Sequence, residues 1–226
     1  MARLRLLSEP DLLNSDGNVV HLTGLSWVGG YRQPASRLAE PRDIAYPSGA
    51  AMAIRAEIFY KLGRFTDEFF MYLEDLELGW RARLHGLRVI VTPAADVLHD
   101  YDYARHPGKE HLIERNRLVF VGSAYSWQLL LLLAPLLGAT EFAMLILSLR
   151  RGWFRGKLAG WGWCVRHLRW LANHRRETQQ LRRVSDRELV GYLTTVLDPG
   201  VVDLPRGVGA VNAVVAAYWR LARRAL

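Results

Sequence analysis

The chain has 226 residues, half of them hydrophobic, and a formal net charge of +8 at neutral pH. This length and apolar content are enough to build a buried core, so an intrinsically disordered protein is excluded. The single cysteine, Cys164, excludes an internal disulfide and is typical of a reducing compartment.

The positive charge is concentrated in the second half of the chain. Residues 1–113 carry 13 lysines and arginines against 15 acidic residues, whereas residues 114–226 carry 17 against 7. A basic region of this kind attracts anionic lipid or nucleic acid. Because its basic residues are interleaved with a long apolar run, which nucleic-acid binders do not need, we predict a membrane surface as a partner and no nucleic acid. The first seven residues are too short an apolar stretch for a secretory signal, so the protein should start in the cytoplasm.

Turns and short strands are predicted for the first part of the chain. Asp16-Gly17 before the apolar residues 19–22 is a hairpin signal. Residues 31–43 have the composition of a surface loop, and Tyr46 to Ile54 reads as a short strand. A helix is predicted from Ala56 to Leu62, with Gly63 as its cap.

Two adjacent carboxylates, Glu74 and Asp75, follow an aromatic stretch that begins at Phe69. The residues after them predict a helix that ends at Gly86, because apolar side chains recur every three or four positions at Leu73, Leu76, Trp80 and Leu84. Acidic residues in a first turn are often there because the helix dipole favours them. The alternative is a general base, which needs a carboxylate whose aim and pKa the protein fixes.

Downstream of this helix lie a second predicted strand and two polar motifs. The strand covers Leu87 to Pro93, and His99 follows it after a short interval. A lone histidine is more often a structural residue than a metal ligand. Arg115 and Asn116 come next, where Arg115 either faces a diphosphate, which suits guanidinium geometry, or lies on a solvated helix face.

A long apolar run occupies residues 118–149, and Glu141 is its only charged residue. About 20 apolar residues can cross a bilayer as a helix. However, Pro135 and Gly138 interrupt the run, and basic residues flank it on both sides, against the positive-inside tendency for a single crossing. A span, a hairpin and an in-plane anchor therefore all stay open, and the last two keep both basic clusters on the cytoplasmic face.

The rest of the chain is predicted to be helical. Leu158 to Arg183 is amphipathic, with many tryptophans and with apolar positions at Leu158, Trp161, Val165, Leu168 and Ala172. Such a stripe is typical of an interfacial helix and also of a helix packed on a protein core. Ser185 to Glu188 forms a capping box that starts another helix. Residues 198–200 should end that helix, and a last one is predicted over residues 210–226.

In their order, these motifs resemble the acceptor-side half of family 2 glycosyltransferases of the GT-A type, of the rhamnosyltransferase-like kind. The resemblance covers roughly residues 14–117. The residues that carry it are Gly49-Ala50, Gly63 with the aromatic residues up to Tyr72, Glu74-Asp75 with Leu78 and Arg81, Gly86, and Pro93-x-Ala95 with His99.

The resemblance implies an inverting transfer of a sugar from a nucleotide-sugar donor to a hydroxyl of a glycan or lipid-linked acceptor, in cell-envelope polysaccharide synthesis. It makes Asp75 the catalytic base and Glu74 a residue that orients the acceptor. It implies that His99 joins a divalent metal, Mg²⁺ or Mn²⁺, at the donor diphosphate. The other substrate-binding positions that it implies are Gly49, Arg81 and Arg115.

The nucleotide-binding half of such enzymes, with its Asp-x-Asp metal ligands, has no counterpart in this sequence. Asp100-Tyr101-Asp102 has the right letters but follows the Glu-Asp pair, so we treat it as a coincidence. We therefore expect a truncated or split enzyme, or a fragment whose partner, a separate N-terminal half, supplies the rest. The predicted fold is α/β, with a partial GT-A-like mixed sheet over residues 1–117 and a helical, membrane-associated region over residues 118–226, at the cytoplasmic face of the cell membrane. The alternative function is a non-catalytic membrane-peripheral interaction module.

Overall fold

A computed structural model describes residues 1–101, 108–200 and 206–226. The described part mixes strands and helices, so the predicted α/β class is confirmed, and it is consistent with a partial GT-A-like fold. The strands are β1 (Ala2–Leu6), β2 (Leu13–Ser15), β3 (Asn18–His21), β4 (Ser26–Val28), β5 (Arg42–Asp43), β6 (Ile90–His99) and β7 (Leu193–Thr194). The helices are α1 (Ala56–Lys61), α2 (Glu74–Leu84), α3 (Glu110–Ala124), α4 (Trp127–Arg151), α5 (Phe154–Arg166), α6 (Leu168–Gln180), α7 (Asp186–Leu189) and α8 (Val208–Ala222).

The strands form two small mixed sheets. The first has the order β2-β1-β6-β5, in which β1 and β6 are parallel and the outer pairs are antiparallel. Alternate residues of β1 are buried, while Arg3 and Arg5 pair with Asp96 of β6 at 2.9 and 2.7 Å. In the second sheet, β3 pairs antiparallel with β4 and parallel with β7. The C-terminal part of the chain therefore completes a sheet that the N-terminal part begins.

A turn at Gly17 leads into a strand, as predicted, but the predicted hairpin is wrong, and so is the strand predicted over residues 46–54. Gly17 has a φ of +118° between β2 and β3, although these strands pair with other strands and not with each other. Of the residues 46–54, Tyr46 makes one isolated bridge to Asn18, and the rest form turns and extended chain. Pro47 has no N–H to donate, and the N–H of Gly49 bonds to a side chain instead.

The helices α1 and α2 are confirmed with their predicted ends. Gly63 and Gly86 follow them with φ values of +89° and +80°, which only glycine adopts easily. The second predicted strand exists as β6 but runs further, to His99. Pro93 lies within it at a bulge, where the register with β1 shifts and no ladder N–H is needed.

The long apolar run is divided between α3 and α4 at Ser126, which caps α4 by accepting the N–H of Leu129 at 3.0 Å. Pro135 and Gly138 do not break α4, because Leu129 and Leu133 are buried against the core and hold the helix in place. The helix α7 ends at Leu189 rather than near residue 198, since the chain turns there to pair with β3. The capping box at Ser185 and the final helix are confirmed.

The predicted amphipathic segment forms α5 and α6, and its apolar stripe faces outward. Leu158, Val165 and Leu168 are 45%, 67% and 63% exposed. The inner side of these helices is aromatic instead, with Trp163 and Trp170 packed against the core.

One apolar core extends across the predicted boundary between residues 117 and 118, which falls inside α3. The core includes Leu76 and Trp80 of α2, Phe120 of α3, Leu133 of α4 and Trp219 of α8. The helical region is therefore packed on the sheets and α2, not attached to them through a spacer.

A buried cluster of charges joins the three helices at the centre of this region. Lys157 of α5 bonds to Glu114 of α3 and lies 3.0 Å from Glu141 of α4. Arg117 of α3 bonds to Glu141 and lies 3.1 Å from Glu114. Trp161 donates to Glu141 at 3.0 Å. We call Glu114, Arg117, Glu141 and Lys157 the ion-pair cluster, in which two positive and two negative charges balance.

Replacing Lys157 by methionine should destabilise the protein strongly. Lys157 is completely buried, so its loss leaves Glu114 facing Glu141 with one cation between them, at a cost of about 3–5 kcal/mol in unfolding free energy. Chemical denaturation measures this loss. Arg155→Met on the exposed side of the same helix is the matched control and should change stability by less than about 0.5 kcal/mol. If Lys157→Met lowers the unfolding free energy no more than Arg155→Met does, the structural role of the ion-pair cluster is contradicted.

Candidate active site

The acid pair stands at the start of α2, and two backbone groups hold its second member. Asp75 accepts the N–H of Gly49 at 2.9 Å through Oδ2 and the N–H of Leu76 at 2.8 Å through Oδ1. A Cβ at Gly49 would lie 3.6 Å from Oδ2, an ordinary contact. The structure thus brings together Gly49 and Asp75, which the sequence predicted to share a site, and it fixes the direction of the carboxylate.

Burial gives both acids a raised affinity for protons. Burial raises the pKa of Asp75, and the N–H donors of Gly49 and Leu76 offset part of that effect. The pKa of Glu74 is also raised, first by burial and then by the charge of Asp75. Oε2 of Glu74 is buried and has no hydrogen-bond partner within the described residues. A carboxylate with a raised pKa is a stronger base than a solvated one.

Tyr46 lies next to the acid pair, and the sequence analysis missed it by reading it as the start of a strand. Its side chain is 4% exposed. Burial raises the pKa of Tyr46, and the charge of Asp75 raises it further, against a hydrogen bond with Ser26. Tyr101 and Glu74 add smaller effects of the same sign. Both the acid pair and Tyr101, which follows β6, therefore lie close enough to Tyr46 to raise the pKa of its hydroxyl group.

The loop that leads into the acid pair has an unusual backbone. Phe70, Tyr72 and Leu73 have φ values of 59°, 69° and 63°, in a region that residues other than glycine seldom adopt. Each such residue costs about 1–3 kcal/mol and persists only where its surroundings impose it. We call residues 68–73 the strained loop.

Asn116 of α3 holds this loop. Its Nδ2 donates to the carbonyl oxygens of Phe69, Met71 and Tyr72 at 2.9, 3.0 and 2.7 Å. Arg115 donates to the carbonyl of Glu68 at 2.6 Å and to Oδ1 of Asn116 at 2.9 Å. The Arg-Asn pair is thus a positioning device for the strained loop. The predicted contact of Arg115 with a diphosphate stays a prediction, since its guanidinium faces the loop.

Arg81 is buried on the far side of α2. It donates to the carbonyls of Leu62 and Arg64, to the latter at 2.6 Å, and to Glu77 at 2.5 Å. These bonds join α2 to the end of α1. A substrate-binding role for Arg81 stays a prediction that no contact described here supports.

His99 ends β6, and its Nδ1 lies 2.8 Å from Oδ1 of Asn14, which fixes the ring. Asn14 is a second residue that the sequence analysis missed, because only the pairing of distant strands brings it near. Within residues 1–101, 108–200 and 206–226, no three His, Cys, Asp or Glu side chains cluster closely enough to hold a metal ion. These residues alone do not fit a divalent metal. Asp102 of the Asp-x-Asp-like motif lies outside the described residues.

Two surface cavities lie away from the acid pair. One of about 640 Å³ is found between α6 and the start of α4, and its lining includes Trp127, Arg175, Arg176 and Arg182. Another of about 230 Å³ lies beside Gly17, Asp43 and Tyr192. The acid pair lines neither of them.

Comparison with known proteins finds related sequences among sugar transferases. The chain is 31% identical over 97 residues to N-acetylglucosaminyl-diphospho-decaprenol L-rhamnosyltransferase of Mycobacterium tuberculosis, which covers 42% of this chain and 31% of the relative. It is 29% identical over 108 residues to O-antigen biosynthesis protein RfbC of Myxococcus xanthus, covering 45% of this chain and 8% of that protein. It is 30% identical over 82 residues to rhamnosyltransferase WbbL of Escherichia coli, covering 36% and 26%.

These matches span less than a third of each relative. No protein-family model and no solved structure matches the chain. The predicted resemblance to rhamnosyltransferase-like glycosyltransferases is confirmed by the three relatives.

Asn116→Ala should release the strained loop. The substitution removes the donor to three carbonyl groups from a side chain that is 1% exposed, and we expect a loss of about 2–3 kcal/mol in unfolding free energy. Chemical denaturation measures it, together with faster amide hydrogen exchange over residues 68–73. Asn173→Ala at an exposed position of α6 is the control and should leave both quantities unchanged. Unchanged exchange in Asn116→Ala would show that the loop does not depend on this amide.

Asp75→Asn should change how stability depends on pH. The folded chain binds a proton at Asp75 more tightly than the unfolded chain, in which the pKa is near 3.8. The wild type therefore loses stability relative to Asp75→Asn as the pH rises above about 4, and the difference levels off once the pH passes the raised pKa of the folded state. Denaturation midpoints between pH 4 and 8 test this. A difference that is constant with pH, or that grows in the other direction, would contradict the raised pKa.

Proposed function

We propose that this chain forms the acceptor-side part of an inverting, nucleotide-sugar-dependent glycosyltransferase. It transfers a sugar to a hydroxyl group of a glycan or lipid-linked acceptor in the synthesis of a cell-envelope polysaccharide. The observation that carries the proposal is the carboxylate of Asp75, held by two backbone N–H groups beside a second acid. The relatives support the class of reaction, because two are named rhamnosyltransferases and one an O-antigen biosynthesis protein.

In the proposed reaction, Asp75 acts as the general base. The acceptor hydroxyl oxygen attacks the anomeric carbon from the side opposite the nucleotide diphosphate. As the new C–O bond forms, the old one breaks, the diphosphate leaves with the bonding electrons, and Asp75 takes the hydroxyl proton. Because Gly49 and Leu76 fix the carboxylate, the aim of the base is set before the acceptor binds.

Glu74 is proposed to orient the acceptor. Its buried Oε2 has no partner among the described residues, so a hydroxyl of the acceptor can donate to it without breaking a bond within the protein. Burying such an oxygen without a partner is unfavourable, which makes acceptor binding the natural way to satisfy it.

Most of the donor site is proposed to lie outside this chain. We propose that a separate N-terminal half binds the nucleotide-sugar, since the relatives are much longer than their matches to this chain. A divalent metal, Mg²⁺ or Mn²⁺, would neutralise charge on the leaving diphosphate. His99 is the residue of this chain proposed to join it, and we assign no step of the reaction to that contact.

We propose that the protein works at the cytoplasmic face of the cell membrane. The supporting observations are the excess of basic residues in the second half of the chain and the apolar side chains that its helices expose. A lipid-linked acceptor would be presented at the same surface.

Asp75→Asn should abolish sugar transfer while the protein remains folded. Loss of a general base lowers rates by about 10²- to 10⁴-fold. The assay uses membranes from the organism that carries the gene, with the variant replacing the chromosomal copy, and follows labelled sugar from a panel of nucleotide-sugars into lipid and glycan fractions. Asp67→Asn, at an exposed acid eight residues earlier, is the control and should retain activity.

Transfer at the wild-type rate in Asp75→Asn would contradict the assignment of the base. If no donor gives transfer that depends on the gene, and the purified protein still binds anionic vesicles, the alternative of a non-catalytic membrane-peripheral interaction module replaces the enzyme.

A further inference from the structure

We propose that α4 and α8 form a one-sided membrane anchor, in which both helices lie in the plane of an anionic leaflet and α4 does not cross the bilayer. The inference deepens the membrane contact of the proposed function by naming the surface and its depth. It does not depend on sugar transfer.

By length and composition alone, α4 could cross a membrane. It has 25 residues, and only 11% of its most apolar 18-residue stretch is buried in the protein. A crossing would place the residues before Trp127 and those after Arg151 on opposite sides of the bilayer.

The packing of the neighbouring helices is incompatible with that arrangement. The helix before α4 and the helix after it lie side by side, with Cβ of His111 in α3 3.2 Å from a Cβ built on Gly156 in α5. The pair Glu114–Lys157 also joins them directly. Because α5 contacts α3, both helices must be on the same side of the membrane.

The middle of α4 is attached to the same two helices. Glu141 bonds to Arg117 of α3 and to Lys157 and Trp161 of α5. A crossing would carry these charged side chains and α3 into the hydrocarbon, where charged groups are unfavourable. It would also withdraw Asn116 from the strained loop. The structure therefore keeps α4 alongside the protein.

The outward side of α4 is an uninterrupted apolar stripe. At 100° per residue, Trp127, Leu131, Phe142 and Leu149 fall on one face, and they are 69%, 75%, 65% and 58% exposed. The positions between them on that face are Ala134, Pro135 and Gly138, which are exposed as well. This face points away from the buried Leu129 and Leu133.

The last helix widens the apolar surface. Tyr218 of α8 donates to the carbonyl of Leu132 at 2.5 Å, and Gln128 of α4 donates to the carbonyl of Ala225 at 2.7 Å. The two helices are therefore antiparallel neighbours. On α8, the exposed apolar side chains are Val211, Val214 and Leu221. We call these three residues, together with Trp127, Leu131, Phe142 and Leu149, the anchor face.

The charges around the anchor face identify its occupant as an anionic membrane. Exposed arginines follow both helices at their C-terminal ends, at Arg150, Arg151, Arg155, Arg220, Arg223 and Arg224. No acidic residue occurs in residues 206–226. Helices that lie in the interface typically carry basic groups at headgroup level along an apolar face, where arginines are attracted to anionic lipid.

A topology experiment separates the in-plane anchor from a crossing. Single cysteines replace the exposed residues Tyr60 on α1, before α4, and Glu177 on α6, after it, in a Cys164→Ser background. Intact spheroplasts are treated with a membrane-impermeant maleimide, and lysed spheroplasts serve as the reactivity control. We expect neither cysteine to react before lysis and both to react after it. A reaction at either position in intact spheroplasts overturns the proposal.

Vesicle binding tests the anchor face itself. Leu131→Asp and Val214→Asp place a charge on the face at exposed positions, so folding is kept, which circular dichroism verifies. The vesicles contain about a third anionic lipid, as phosphatidylglycerol. Each substitution should weaken binding to them by about tenfold or more. Tyr60→Asp, at an exposed position of α1, should bind like the wild type.

If Leu131→Asp and Val214→Asp bind the vesicles as tightly as Tyr60→Asp and the wild type, the anchor face is overturned, whatever the outcome of the sugar-transfer assay. Binding of the wild type that is the same with purely zwitterionic vesicles would overturn the preference for anionic lipid. Loss of transfer with normal vesicle binding, as expected for Asp75→Asn, would leave the anchor intact, so the failures of the two proposals can be told apart.

Discussion

The geometry of the acid pair depends on one amide nitrogen. Nδ2 of Asn116 donates to three carbonyl oxygens of the strained loop, those of Phe69, Met71 and Tyr72. The residues of positive φ in this loop would be costly in isolation. Local sequence does not favour this loop, so its shape must be imposed by α3. Once it is imposed, the chain enters α2 with Glu74 and Asp75 in the first turn, and Asp75 meets the N–H of Gly49.

The helix α3 connects the candidate site with the rest of the helical region. Asn116 and Arg115 face the strained loop, while Glu114 and Arg117, their direct neighbours in sequence, belong to the ion-pair cluster. Four consecutive residues thus bind two different parts of the protein. The apolar core runs from α2 through α3 to α4 and α8 and packs around this junction.

Local signals in the sequence predicted the parts of the fold that local physics decides. The first two helices and the glycines after them were predictable because spacing and cap residues act within a few positions. The strand over residues 46–54 was wrong because the N–H of Gly49 bonds to a carboxylate 26 positions away. The roles of Tyr46 and Asn14 were likewise hidden, since contacts between distant segments create them. The periodicity of α5 and α6 was correct, yet it could not tell that Leu158 and Val165 face outward.

The shared helix links two proposed surfaces. Because Arg117 of α3 bonds to Glu141 of α4, and Asn116 beside it holds the loop before Asp75, a displacement of α3 would alter both the acid pair and the exposed side of α4. In the proposed arrangement, the site that receives the acceptor and the surface that meets the lipid therefore cannot move independently of each other.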